Sequence, residues 1–116
     1  MNDFFKVLAD ETRLRCIALI FEQQQICVCE LIHALDLPQS KISRHLSIIK
    51  LNGVITQRRE GQWVLYSINS KLSSIKRNMI EMYVTELKNT SPFKDDKNSL
   101  LAMTNRPLIN NEKMDV

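Results

Sequence analysis

Residues 38–68, PQSKISRHLSIIKLNGVITQRREGQWVLYSI, change their apolar period in mid-course, and that change decides the fold. Pro38 suits the first position of a helix, where its missing N–H is not needed, and Ile42, Leu46 and Ile49 continue at helical spacing. Gly53 is placed to cap the C-terminal end. From Val54 two β-prone runs, Val54 to Arg58 and Gln62 to Ile68, flank Glu60-Gly61, a short connection in which glycine supplies a positive φ. A helix followed by a β-hairpin is predicted.

Upstream, Cys29 to Leu35 reads as a two-turn helix, with Leu31 and Leu35 four apart, joined to the first by the three-residue turn Asp36-Leu37-Pro38. The polar run Glu22 to Gln25 reads as a connection. Before it, Leu14, Ile17, Ala18 and Phe21 form one face of a helix starting near residue 11, with Asp10 and Thr12 as capping candidates. Phe4, Phe5, Val7 and Leu8 make a short apolar opening. Downstream, Leu72, Ile75, Met79, Met82 and Leu87 predict a final helix of about five turns, whose apolar stripe needs a partner. The expected class is mainly α with a β-hairpin, a winged helix-turn-helix spanning residues 1–89. Residues 90–116 are expected to be a disordered polar tail, although Leu100, Leu101, Met103, Leu108 and Ile109 leave room for a short docking helix.

A chain of 116 residues fits one domain. No apolar stretch approaches the ~18 residues of a membrane span, and the first turn carries Asp3 rather than a basic leader, so a cytoplasmic protein is predicted. Cys16, Cys27 and Cys29 do not form a disulfide framework, and reduced thiols follow.

The net charge of +3 is unevenly spread. Residues 1–37 hold Lys6, Arg13 and Arg15 against Asp3, Asp10, Glu11, Glu22, Glu30 and Asp36. Residues 38–63 hold Lys41, Arg44, Lys50, Arg58 and Arg59 against Glu60 alone. A polyanionic partner fits that asymmetry. In a helix-turn-helix the second helix enters the DNA major groove, so Gln39, Ser40, Lys41, Ser43, Arg44 and His45 are candidate DNA contacts. Arg58, Arg59 and Gln62 at the hairpin tip are candidates for an adjacent groove or backbone.

Three segments, Leu8-Ala9-Asp10-Glu11-Thr12-Arg13-Leu14, Ile26-Cys27-Val28-Cys29-Glu30-Leu31 and Ser40-Lys41-Ile42-Ser43-Arg44-His45-Leu46, resemble the ArsR (ArsR/SmtB) family of metalloregulatory repressors. Gly61-Gln62-Trp63-Val64 and Tyr66-Ser67 extend the similarity through the wing, over roughly residues 4 to 88. The resemblance implies a homodimer built from the first and last helices, which supplies the missing partner of the apolar stripe. It also implies a palindromic double-stranded operator and no cofactor requirement for DNA binding.

Cys27-Val28-Cys29 resembles the inducer motif of the arsenic-responsive branch, with arsenite or antimonite as inducer. Soft thiolates select such thiophilic ions. Residues two apart on a regular helix point to nearly opposite sides, so joint binding is expected to unwind the helix start, and that start is expected to lower the thiol pKa. The branch's third cysteine is replaced by Ile32. Cys16 lies in an apolar helix and reads as structural; His33, four after Cys29, is a zinc candidate; and the family's other zinc site lacks its histidines across Leu72 to Leu87.

One alternative keeps the repressor but has it sense oxidants or sulfur species through cysteine oxidation. Another is a thiol enzyme such as an arsenate reductase. Against an enzyme stand the lack of a Cys-x₅-Arg loop, of a Cys-x-x-Cys pair and of any glycine-rich cradle, since Gly53 and Gly61 have turn duties.

Overall fold

The computed structural model describes residues 2–107. Its helices and strands follow in the order α1 (Asn2–Leu8), α2 (Glu11–Gln23), β1 (Ile26–Cys27), α3 (Val28–Leu35), α4 (Gln39–Leu51), β2 (Ile55–Glu60), β3 (Trp63–Ile68), α5 (Ser74–Leu87) and α6 (Phe93–Leu101). The architecture is a winged helix-turn-helix: α3, the turn at Asp36 to Pro38 and α4, followed by the β2–β3 hairpin. No helix among the described residues is long and apolar enough to cross a membrane.

Helix α2 starts where Asp10, in extended backbone, accepts the Arg13 N–H, and it ends at Gln24, whose φ of 68° breaks the helical path. The helix therefore runs two residues into the segment expected to be a connection. Pro38 turns out to be the N-cap of α4 rather than its first residue. Gly53 then leaves that helix at a φ of +76°, the left-handed region glycine tolerates. The hairpin turn is Gly61-Gln62, one residue later than expected, because Glu60 pairs with Trp63 in the ladder. Ser73 caps α5 by accepting the Lys76 N–H, so Leu72 falls outside a helix of 14 residues, shorter than the five turns expected.

The sheet has three strands in the order β1-β3-β2, all antiparallel. The two-residue strand β1 has no counterpart in the sequence reading; it aligns Ile26 with Tyr66 and Cys27 with Leu65. The core gathers Ile17 and Ile20 of α2, Leu31 of α3, Ile42, Leu46 and Ile49 of α4, Ile55 of β2 and Ile80 of α5. On α5 the stripe is only half covered: Ile75 is 61% exposed and Met82 69%, with Tyr83 beside them.

The disordered-tail expectation is corrected over residues 93–107. Helix α6 buries Leu100 completely, and Asp96 is 3% exposed. The Asp96 carboxylate takes a two-pronged ion pair from Arg15, Nε to Oδ2 at 2.8 Å and Nη2 to Oδ1 at 2.7 Å, while the same Nη2 donates to the Leu35 carbonyl at 3.2 Å. Lys97 lies 3.8 Å from Glu22. Leu108 and Ile109, part of the docking-helix expectation, lie outside the described residues.

Removing one partner of a buried ion pair strands the other charge. Asp96→Ala is expected to destabilise the protein by about 3 kcal/mol in urea unfolding. A loss below about 1 kcal/mol, the range of exposed pairs, contradicts that assignment.

Candidate nucleic-acid interface and thiol centre

Cys27 is the last residue of β1 and the N-cap of α3, with φ −83° and ψ 150°. It lies outside the helix, so the opposed-face geometry expected for residues two apart does not apply. The sulfurs of Cys27 and Cys29 approach to 2.8 Å. Cys27 Sγ also accepts the Cys29 N–H at 3.4 Å, and Glu30 Oε1 accepts the Cys27 N–H at 2.9 Å. Together these form a capping box in which cysteine stands where serine or threonine is usual. No unwinding is needed to bring the thiols together.

The pair is partly enclosed. Cys27 is 2% exposed and packs with Leu65; Val28, Cys29 and Trp63 close over them. The expected lowering of thiol pKa is reversed at Cys29. Burial first, then the hydrogen bond with Cys27 and the neighbouring Cys27 and Glu30 charges, push its thiol up to about 12. Cys16, 0% exposed, is likewise pushed to about 12 by burial, which fits an inert core thiol. His33 is exposed on α3, and Ile32 packs against the core. Among the described residues no group of three or more His, Cys, Asp or Glu is arranged to hold a metal ion.

Of the DNA-facing candidates, Gln39, Ser40, Lys41, Ser43 and Arg44 are exposed along the first half of α4, and Ser47 extends the same face. His45 is a correction: it is 3% exposed, on the inner face with Ile42, Leu46 and Ile49. Its Nδ1 lies 3.4 Å from Arg13 Nη1, and Arg13 also donates to the Val7 and Lys6 carbonyls at 3.0 Å each. Arg13 thus ties α1, α2 and α4 together. On the hairpin Arg58, Arg59 and Gln62 are exposed, but Arg58 is engaged with Glu60 and, at 2.6 Å, with Gln25 Oε1. Arg59 donates only weakly, at 3.5 Å, to the Gly61 carbonyl. Glu30 and Trp63 were missed as parts of the thiol centre, although Cys27-x-x-Glu30 has the spacing of a capping box.

Residues 10–57 match the family described as bacterial regulatory protein, arsR family. The arsenic resistance transcriptional regulator ArsR2 of Pseudomonas putida is 43% identical over 106 residues, covering 91% of this chain and 90% of that protein. Among solved structures, HlyU from Vibrio cholerae superposes with a TM-score of 0.66 at 29% identity, over 73% of this chain and 88% of its own. The AntR antimony-specific transcriptional repressor gives a TM-score of 0.61 at 25% identity, over 73% of this chain and 74% of its own.

Burial, helped by repulsion from Arg44, Arg13 and Lys41, outweighs the attraction of Asp10 and holds the His45 imidazole below its ordinary 6.5. The unfolded chain therefore takes up this proton first as pH falls. The stability contributed by neutral His45 is present above about pH 6.5 and is lost as pH drops toward the folded value. His45→Gln, which keeps an acceptor for Arg13 without titrating, is expected to flatten the fall in urea midpoint between about pH 6.5 and 5. Parallel curves for the two proteins contradict this.

Proposed function

The chain belongs to the arsR family of bacterial regulatory proteins, and from that premise we propose that it is a transcriptional repressor released from operator DNA when Cys27 and Cys29 bind trivalent arsenic or antimony. The observation that carries the proposal is the 2.8 Å approach of the two sulfurs on a residue that belongs to both β1 and the cap of α3. Each thiol passes its proton to a hydroxyl of arsenous acid and takes its place on arsenic, so two As–S bonds replace two As–O bonds and two waters leave without redox change. The remaining As–O bond suits a site in which Ile32 stands in place of a third sulfur.

Once bonded to arsenic, Cys27 Sγ is drawn off its line to the Cys29 N–H, so the sulfur half of the α3 capping box weakens while the Glu30 half stays. Cys27 is paired with Leu65 on β3, and α3 leads through a three-residue turn into α4. Inducer binding therefore disturbs the wing and the recognition helix together, the differential between two states that a coupling of ~1–3 kcal/mol requires. The same proximity favours a second reading, in which peroxide takes two electrons and two protons from the pair to give a Cys27–Cys29 disulfide and two waters.

Gln39, Ser40, Lys41, Ser43 and Arg44 are assigned to base and phosphate contacts, and Arg59 and Gln62 to the wing contact, with Arg58 held back by Glu60 and Gln25. The exposed Ile75, Met82 and Tyr83 of α5, with Phe5 of α1, are assigned to a homodimer interface, and a two-fold dimer calls for a palindromic operator.

An operator gel shift titrated in parallel with arsenite, antimonite, zinc and peroxide tests the inducer. Cys27→Ser and Cys29→Ser are each expected to stay on operator when arsenite is added, because a hydroxyl offers no soft sulfur. Cys16→Ser is expected to remain inducible while losing ~1–3 kcal/mol of stability from a buried hydroxyl. Release of either single-serine variant by arsenite contradicts the two-thiol site; release of the wild type by peroxide but not arsenite transfers the function to oxidant sensing.

The DNA-binding assembly is expected to sediment as a dimer at micromolar concentration. Arg59→Ala is expected to weaken binding to all sequences and reduce the log–log salt slope by about 1 per site, whereas Arg44→Ala loses discrimination between operator and random DNA. A monomer, or equal salt slopes for wild type and Arg59→Ala, contradicts these assignments.

A further inference from the structure

We propose that Arg106 is a positioning residue for the thiol pair, through which the segment after α6 sets the inducer sensitivity of the site; the sensitivity, though not the positioning, rests on the arsenic reading above. The carboxylate of Glu30 is fully buried, and its two oxygens face different ways. Oε1 accepts the Cys27 N–H at 2.9 Å, while Oε2 takes the Arg106 Nε at 2.6 Å. Arg106 Nη2 donates to Gln23 Oε1 at 3.0 Å, fastening the guanidinium to the end of α2.

A buried carboxyl group is strongly disfavoured unless paired, so the Arg106 guanidinium is what holds the Glu30 side chain under the N-cap. Without the guanidinium, Glu30 gains by turning toward solvent, and the Cys27 N–H loses its acceptor. The cap that holds the two sulfurs together then loosens. Groups one shell behind a metal ligand act in this way, fixing the ligand's orientation without touching the ion.

Arg106 can fill this role because its segment is anchored from behind. Leu100 is buried in the core, and Asp96 is locked to Arg15. Four residues separate Leu101 from Arg106, and Pro107 beyond it is buried. Residues 10–57, which match the family model, stop well short of this strap, although the similarity to ArsR2, over 91% of this chain, extends into it.

The test uses the full chain, with Arg106→Ala and Arg106→Lys beside the wild type. Native-state alkylation by iodoacetamide, read by mass spectrometry at each cysteine, reports the positioning directly, with the core residue Cys16 as an internal control for general loosening. In Arg106→Ala, alkylation of Cys27 relative to Cys16 is expected to rise about tenfold, and the arsenite concentration that half-releases operator to rise by a similar factor. Arg106→Lys, which restores the charge opposite Glu30, is expected to recover most of both. Unchanged Cys27 reactivity, or Cys27 and Cys16 rising together, overturns the proposal. A wild type indifferent to arsenite overturns the inducer reading instead, and the alkylation ratio still decides the role of Arg106. Should Arg106→Ala not fold, Arg106→Gln carries the same comparison, keeping the side-chain hydrogen bond without the charge.

Discussion

Cys27 has to serve two elements at once, and the rest of the site depends on that double duty. Its backbone is extended and paired against Leu65, while its side chain begins α3 by accepting the Cys29 N–H. A helix N-terminus leaves its first N–H groups without partners, and a strand end needs a neighbour; one residue supplies both. The hairpin is thereby held to the start of the helix-turn-helix through a ladder only two residues long. A connection so short has little redundancy, so a change at the Cys27 sulfur has nowhere to dissipate before it reaches Trp63 and Leu65.

Around this joint the domain is braced by charges of unequal worth. Arg15 with Asp96 and Arg106 with Glu30 pair guanidinium groups with carboxylates that are almost or wholly out of water, where loss of a partner is costly. Arg58 with Glu60 lies on the hairpin surface, both side chains about two-fifths exposed, and such a pair contributes little to stability. Its consequence is local: it draws Arg58 back along the hairpin and leaves Arg59 less constrained. Arg13 forms a third brace, binding two carbonyls at the end of α1 and the buried face of α4 through His45. The recognition helix is thus seated from beneath by polar contacts as well as by Ile42, Leu46 and Ile49.

The winged helix-turn-helix was legible because its elements carry strong local signals: helical spacing from Leu14 to Phe21 and from Ile42 to Ile49, and a glycine turn between two β-prone runs. What escaped the sequence depends on partners far along the chain. Strand β1 is too short for any alternation to show, and only its pairing with β3 defines it. Helix α6 is open in the sequence only as room for a docking helix at Leu100 and Leu101, because its other anchor, Asp96, takes its value from Arg15. His45 sits in a basic, polar run that looks solvent-facing, yet it shares the inward stripe with Ile42, Leu46 and Ile49, three or four residues apart. For the thiols it was the geometry that escaped: treating both as helical ignored that Cys27-x-x-Glu30 marks the boundary where the helix begins.

That boundary also bears on which ions the pair suits. Structural zinc takes four donors in a closed tetrahedron. Here two sulfurs lie together, the next turn offers Ile32 packed on the core, and His33 is exposed on α3. Glu30, the nearest carboxylate in sequence, has both oxygens committed, one to the Cys27 N–H and the other to Arg106. Recruiting it as a ligand would remove the cap that positions the sulfurs and leave Arg106 without its partner. A trivalent oxyacid makes no such demand, since it brings its own oxygen to the third position and needs only the two thiols that the cap already holds in contact.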